Sequence, residues 1–333
     1  MAKRQRKSRN SSKLSTILAF LVILGIGVVN FYNGKFDRSS IWDWLADLSG
    51  PKVEQREAAV PIPKAPQTIR LGTFNIQVFG KSKLDKPDVM GVLADVARQF
   101  DILAIQEIRT QDDGHLDQFL KMINQTGREY RGVVGDRIGR TTSTEQYAFV
   151  YDSEIIEVVE GSVYTIQDPH DRLHREPLIA NFRVRGPPSR EPFGFRLINI
   201  HTDPDETKTE LDALADVFAV VQQSAGEDDT ILLGDLNVNV NHFGRLAYLP
   251  GITPVVRSQN TNTRGTSQMD NIVFDSRYTV EMTGQSGVMD LMTMYDLSKE
   301  EALKVSDHLP VWADFSMFES QRGPVASSPT ELN

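Results

Sequence analysis

A chain of 333 residues, 40% hydrophobic and 24% charged, has the composition of a globular protein and the length of one large domain or two small ones. It contains no cysteine, which excludes a disulfide framework, a thiol nucleophile and a cysteine-ligated zinc site. The net charge of -9 argues against coating nucleic acid through a global positive field. That charge is uneven. Lys3, Arg4, Arg6, Lys7, Arg9 and Lys13 come first with no acid among them, so the remaining 30 basic residues face 45 acids and the rest of the chain is near -15. A polyanionic substrate has to be met there by local arginines and a bound cation.

Residues 1–13 are the basic N-terminus, and residues 14–34 (LSTILAFLVILGIGVVNFYNG) carry no charge. About 20 residues at 1.5 Å each span roughly 30 Å, one hydrocarbon thickness. Phe31 and Tyr32 fall where an aromatic belt lies, and the basic flank places the N-terminus in the cytoplasm. The run is long for a cleaved signal peptide and no A-x-A-like site follows it. The expectation is an uncleaved, single-pass signal anchor with the rest extracytoplasmic, periplasmic or extracellular; a cleaved signal peptide is the rival. Within residues 35–67, Ser40–Leu48 with Trp42 and Trp44 reads as an interfacial helix or as a segment packed on the domain. Pro51, Pro61, Pro63 and Pro66 then mark an extended tether. A folded domain is expected over 68–318 and a disordered tail over 319–333.

From Ile69 strands and helices alternate, which predicts an α/β domain. Residues 69–75, 101–105, 147–151, 178–184, 193–200, 230–233, 271–274 and 311–315 read as strands, and the helical stripes begin at Pro87, Leu116, Leu211 and Ser298. Apolar strands repeatedly end in, or start from, a residue able to hold a metal or move a proton. These are Asn75, Glu107, Glu145, His201, Asp235, Asn237, Asp270, Asp307 and His308. A core strand needs no carboxylate at its end, and burying one unpaired costs several kcal/mol. So many together predict strand ends converging on one polar pocket.

On the ordered blocks FNIQVFG (74–80), IQEIR (105–109), TEQYAFVY (144–151), HREP (174–177), NIHTDPDE (199–206), GDLN (234–237), MDNIVF (269–274) and YDLSKEEALKVSDHLPV (295–311), the chain resembles the endonuclease/exonuclease/phosphatase superfamily, and within it the deoxyribonuclease I branch. The resemblance covers about 69–315. It implies a four-layer α/β sandwich, two mixed β-sheets face to face with helices outside and the site at one edge. It implies that Glu107, with Asn75 and Asp307 nearby, holds a divalent cation, magnesium first, with manganese or calcium as alternatives. Asp235 and Asn237 would hold the attacking water and the scissile phosphate. His201 would pair with Glu145 and His308 with Asp270, and Arg109 and Arg175 would contact substrate phosphates. DNA is the implied substrate, and no protein partner is predicted.

Those residue types suit phosphodiester hydrolysis. A hard cation on carboxylate and amide oxygens neutralises phosphoryl charge, and a carboxylate beside a histidine orients the ring and raises its pKa. Inositol-polyphosphate phosphatases are disfavoured by Asn239 and by SQMDNI, and abasic-site endonucleases by His201. Sphingomyelinase-like hydrolysis of phospholipid, or of another phosphoester, is the main alternative. Three positions depart from the branch. Ser143 stands where a minor-groove tyrosine is usual, and Val240 and Ser267 replace a structural cysteine pair. His170 and His174, at H-x3-H spacing, read as part of a solvated basic loop rather than a second metal site.

Overall fold

The computed structural model of the protein describes residues 61–320 except 113 and 141–143. The expected anchor at 14–34, the tryptophan segment, most of the tether, Ser143 and the tail beyond 320 lie outside the described residues. Among the described residues no helix is long and apolar enough to cross a membrane.

In chain order the elements are β1 (Thr68–Phe79), α1 (Lys81–Leu84), α2 (Pro87–Ala97), β2 (Ile102–Ile108), α3 (Gly114–Ile123), β3 (Tyr130–Val134), β4 (Gln146–Asp152), β5 (Ile156–Val158), β6 (Tyr164–Thr165), β7 (Leu178–Val184) and β8 (Gly194–His201). Then follow α4 (Thr207–Gln222), β9 (Thr230–Asp235), β10 (Ile252–Pro254), β11 (Asp270–Asp275), β12 (Met282–Val288), α5 (Leu291–Tyr295), α6 (Lys299–Val305) and β13 (Val311–Ser316). Pro87 opens α2, where its missing N–H has no partner to lose, and Ser298 with Glu301 closes a capping box at the start of α6.

Two mixed sheets result. The first has strand order β12-β13-β1-β2-β4-β3, and the second β10-β11-β9-β8-β7-β5 with β6 on β7. Each holds one parallel pair, β1 with β2 and β8 with β9, connected through α2 and α4 respectively. The buried strands are apolar on both faces, as strands covered on two sides must be. Leu71, Ala104 and Phe149 of the first sheet meet Leu197, Leu233 and Phe274 of the second in an inter-sheet core. Phe74, Leu103 and Ile105 point the other way, onto α2, α3 and α6, while Ile198, Ile200 and Leu232 pack on α4. The order is therefore helix, sheet, sheet, helix, as expected.

Gly72 shows how tight the helix side is, since a Cβ there would lie 2.1 Å from the Phe100 ring. Near the site end of the inter-sheet core a polar stitch joins the layers. Gln106 Nε2 donates to Asn199 Oδ1 at 2.7 Å, and Asn199 Nδ2 donates to the carbonyls of Ile105 and Ala148.

The chain is already held before Thr68. Buried Arg70 pairs with Asp314, stacks on Trp312 at 4.3 Å and donates to the carbonyls of Ile62 and Pro63, while Lys64 pairs with Asp101. At the other end Glu319 binds the Glu191 carbonyl and the Gly194 amide. These contacts lie at the starts of β1, β2 and β8, so the chain arrives at the pole opposite the strand ends that carry Asn75, Glu107 and His201. Seven residues of β1 separate Thr68 from Asn75, roughly 23 Å along a strand.

Candidate active site

The C-terminal ends of both parallel pairs meet at one pole. In the second sheet the ladder runs unbroken to its last pair, His201 opposite Asp235, and Asp270 of β11 lies across from Asp235 on the other side. In the first sheet the β1–β2 register shifts between Asn75 and Phe79. Glu107 does not follow its strand, as the sequence suggested, but lies inside β2 at a bulge with φ 64°. The bulge turns its side chain into the pole. Gln77 and Val78 also have positive φ, at 45° and 50°. In return the Val78 amide donates to Glu107 Oε2 at 2.8 Å.

The described site residues form one connected network. Asn75 Nδ2 bridges Glu107 Oε1 at 3.2 Å and Asp235 Oδ2 at 3.0 Å, while its Oδ1 accepts from the Gln77 amide. His201 Nδ1 meets Glu145 Oε1 at 2.9 Å, and His308 Nδ1 meets Asp270 Oδ2 at 3.0 Å. With both Nδ1 atoms engaged, both Nε2 atoms face the same oxygen. Asp235 Oδ2 lies 3.4 Å from His201 Nε2 and 3.5 Å from His308 Nε2. Two imidazoles thus approach one carboxylate from the two dyads.

Burial works to lower the His308 pKa, but Asp270 and Asp235 outweigh it and push it up to about 10. Burial likewise opposes protonation of His201, and Glu145 and Asp235 hold its pKa above the ordinary value. Asp235 is driven up by burial yet ends below the usual carboxylate range, because His308, His201, the Asn237 amide and Asn75 all favour its charge. Asp270 is pushed up by burial and by Asp235. The charge of His308, whose Nδ1 lies 3.0 Å away, opposes that rise.

Arg109 sits at the rim, 31% exposed in its side chain, with Nη2 3.2 Å from Glu107 and Nε 3.8 Å from Glu145. Asn237, at φ 52°, donates through Nδ2 to the Thr202 carbonyl, and its amide donates to Asp235 Oδ1. Arg175 differs from the expectation of a phosphate contact. It is 4% exposed, and Nε and Nη2 donate to the carbonyls of His201 and Thr202. Its guanidinium fixes the end of β8 instead of facing solvent. Tyr147, a plain strand residue by its sequence pattern, does the same from β4, since its hydroxyl accepts from the His201 amide at 2.9 Å. His174 pairs with Asp203 at 3.5 Å, while His170 is exposed, so the two do not converge. Where the branch has a cysteine pair, the Val240 amide donates to Gln268 Oε1.

The donor chemistry fits a divalent cation. Asp270 Oδ1, Asp307 Oδ1 and Glu145 Oε2 are buried with no hydrogen-bond donor, an excess of hard oxygens at one pole. Among the described residues the tightest convergence there is Asp235, Asp270 and His308, whose ligand atoms lie within 4.8 Å of one another. Of the expected trio, Asn75 lies 3.2 Å from Glu107 Oε1. Asn75 turns its amide nitrogen to the site, and the Asp307 side chain is 42% exposed.

A four-layer sandwich with two carboxylate-paired histidines around an acidic pole defines a class of hydrolase acting on phosphodiester bonds. Residues 72–308 match the model of the endonuclease/exonuclease/phosphatase family, and the chain belongs to that family. It is similar to deoxyribonuclease gamma of Rattus norvegicus, 30% identical over 73% of this chain and 83% of the relative. It is similar also to deoxyribonuclease-1-like 2 of Mus musculus, 30% identical over 74% and 91%. Among solved structures, the human Nocturnin catalytic domain superposes with a TM-score of 0.51 at 15% identity, covering 78% of this chain and 96% of that one. At that identity the likeness concerns the fold alone.

Proposed function

We propose that this protein is a membrane-anchored, divalent-cation-dependent endodeoxyribonuclease acting outside the cytoplasm. The observation that carries the chemistry is the pair of dyads, Glu145–His201 and Asp270–His308, both directed at Asp235. The 30% identity to proteins named as deoxyribonucleases supports DNA as the polymer.

Hydrolysis needs a base for water and an acid for the departing 3′ or 5′ oxygen. Each imidazole has its Nδ1 tied to a carboxylate, so each presents Nε2 to the same point. A phosphate bound beside Asp235 Oδ2 would have both Nε2 atoms near it, one accepting a proton from water while the other gives one to the leaving oxygen. Asp235 and Asn237 orient the water and the phosphate. Arg109, with its exposed edge, supports a charge-assisted contact to a non-bridging oxygen. Glu107, Asp307 and the Asp235–Asp270 pair would hold the cation, which when bound would neutralise charge on the phosphoryl oxygens.

Two features favour a soluble polymer over bilayer lipid. The chain joins the domain at the pole opposite the site. Among the described residues the exposed aromatics are Tyr164 and Tyr248, with no exposed tryptophan or phenylalanine to enter a lipid surface. The test is hydrolysis of supercoiled plasmid, single-stranded DNA, RNA and sphingomyelin by the purified protein with magnesium, manganese, calcium or chelator. Metal-dependent nicking that His308→Ala abolishes supports the nuclease reading. Cleavage of sphingomyelin alone moves the protein to the alternative, and activity undiminished by chelator contradicts the cation requirement.

A further inference from the structure

Lys83 is the one lysine among the buried described residues, 6% exposed on the single turn α1. A buried ammonium normally sits on a carboxylate. This one does not. Its three protons go to three backbone carbonyls: Ile76 at 2.5 Å, Gln77 at 2.6 Å and Val305 at 2.7 Å. That is the full donor capacity of a lysine. Burial pulls its pKa down to about 8, against the charges of Glu107 and Asp307, which hold it up.

The three carbonyls come from two remote segments. Ile76 and Gln77 follow Asn75 at the exit of β1, where Gln77 and Val78 occupy the left-handed region. For a β-branched residue such as Val78 that region is unfavourable, so something must hold this end of β1. Val305 ends α6, immediately before Ser306, Asp307 and His308. Ser306 Oγ adds a parallel tie, donating to the Asn75 carbonyl at 2.7 Å and accepting from the His308 amide at 3.0 Å.

We infer that Lys83 is a positioning residue of the active site: an internal cation that clamps the β1 exit to the end of α6, and so sets Asn75 and Glu107 on one side against Asp307 and His308 on the other. The inference rests on the hydrolase reading of this pole. Its lever is geometric. The ammonium is buried away from the rim, but it fixes the bulged end of β1 whose Val78 amide holds Glu107. A misplacement of about 1 Å in such a constellation costs on the order of 100-fold in rate.

The absence of cysteine gives a clean test. Lys83→Met removes the ammonium at similar volume. Lys83→Cys, alkylated in denaturant with 2-bromoethylamine and refolded, restores an ammonium at nearly the same reach; alkylation with iodoacetamide gives the uncharged control. Wild type passes through the same steps. The readouts are kcat and KM on plasmid DNA, and Mn2+ binding by calorimetry, which does not depend on turnover. Lys83→Met is expected to lose at least about 10-fold in kcat with KM changed less than about twofold, and to bind Mn2+ at least about 10-fold more weakly. The aminoethylated protein is expected to recover both and the carboxamidomethylated one neither. The inference is overturned if Lys83→Met keeps wild-type kcat and Mn2+ affinity, or if the two alkylated proteins behave alike. Should Lys83→Met not fold, the alkylated pair decides. Should wild type cleave no DNA, the proposed substrate fails while Mn2+ binding still reads the clamp.

Discussion

The two parallel strand pairs deliver their site residues by different means. In β8–β9 the hydrogen-bond ladder continues to its last rung, and His201 and Asp235 stand on that rung. Gly234 makes this possible, because at φ 150° a Cβ there would lie 1.9 Å from the Ile200 carbonyl oxygen. In β1–β2 the last regular rung is Asn75 opposite Gln106, and beyond it Glu107 is placed by bulged backbone at positive φ together with side-chain and ammonium contacts. The acid–base half therefore ends on a continuous ladder that Arg175 and Tyr147 brace, and the cation half relies on polar clamps across a bulge. A continuous ladder shares its load over many rungs, whereas a clamped bulge depends on a few individual hydrogen bonds.

The largest effect expected is at the point both halves share. Asp235→Asn removes the charge that both imidazoles face, and turnover should fall by roughly 1,000-fold or more. Circular dichroism should remain that of the wild type. A loss below about tenfold would show that the imidazoles do not act through this point. On the ladder side, Tyr147→Phe leaves the buried His201 amide without its acceptor. Denaturant unfolding should register a loss of about 1–3 kcal/mol, the range for an orphaned buried donor. No change would mean that the rung holds His201 unaided.

The pH dependence sharpens the comparison. The His308 pKa of about 10 in the folded protein lies above its ordinary 6.5. Its contribution to stability is thus fully present below about pH 6.5 and is lost as pH rises towards about 10. In chelator, the stability difference between wild type and His308→Gln should shrink over that interval. A difference that grows with pH would reverse the sign. The smallest effect is on the clamped side. Val78 is 48% exposed at φ 50°, so Val78→Gly relieves strain without opening the core and should stabilise by about 1 kcal/mol in the same unfolding assay. Destabilisation there would mean that the bulge is not strained.

Much of the molecule was legible because buried strands write themselves as apolar runs. Residues 178–184 and 230–233 announced β7 and most of β9, and the chemistry-bearing residues at the strand mouths stood out against those runs. What escaped had no such contrast. Met282–Val288 lacks apolar alternation and holds no fully buried residue, so nothing marked it as edge strand β12. Glu107 was placed after its strand because a bulge at positive φ leaves no pattern of its own. Lys83, inside Gly80-Lys81-Ser82-Lys83, has no apolar run to set it off, and Arg175 was expected to contact substrate phosphate. Only tertiary contacts show that both are buried on backbone carbonyls. Tyr147 fits an apolar strand pattern, and nothing in that pattern distinguishes a hydroxyl that accepts from the His201 amide.

The most direct measurement is a double-mutant cycle on metal-dependent plasmid nicking with His201→Ala, His308→Ala and both together. If the two dyads act on one phosphate, each single change should abolish most turnover and the double should be no worse than the poorer single within about tenfold. If either single variant, folded by circular dichroism, keeps near wild-type turnover, or if the two losses multiply in full, the histidines do not work as one unit and the shared-point mechanism is contradicted.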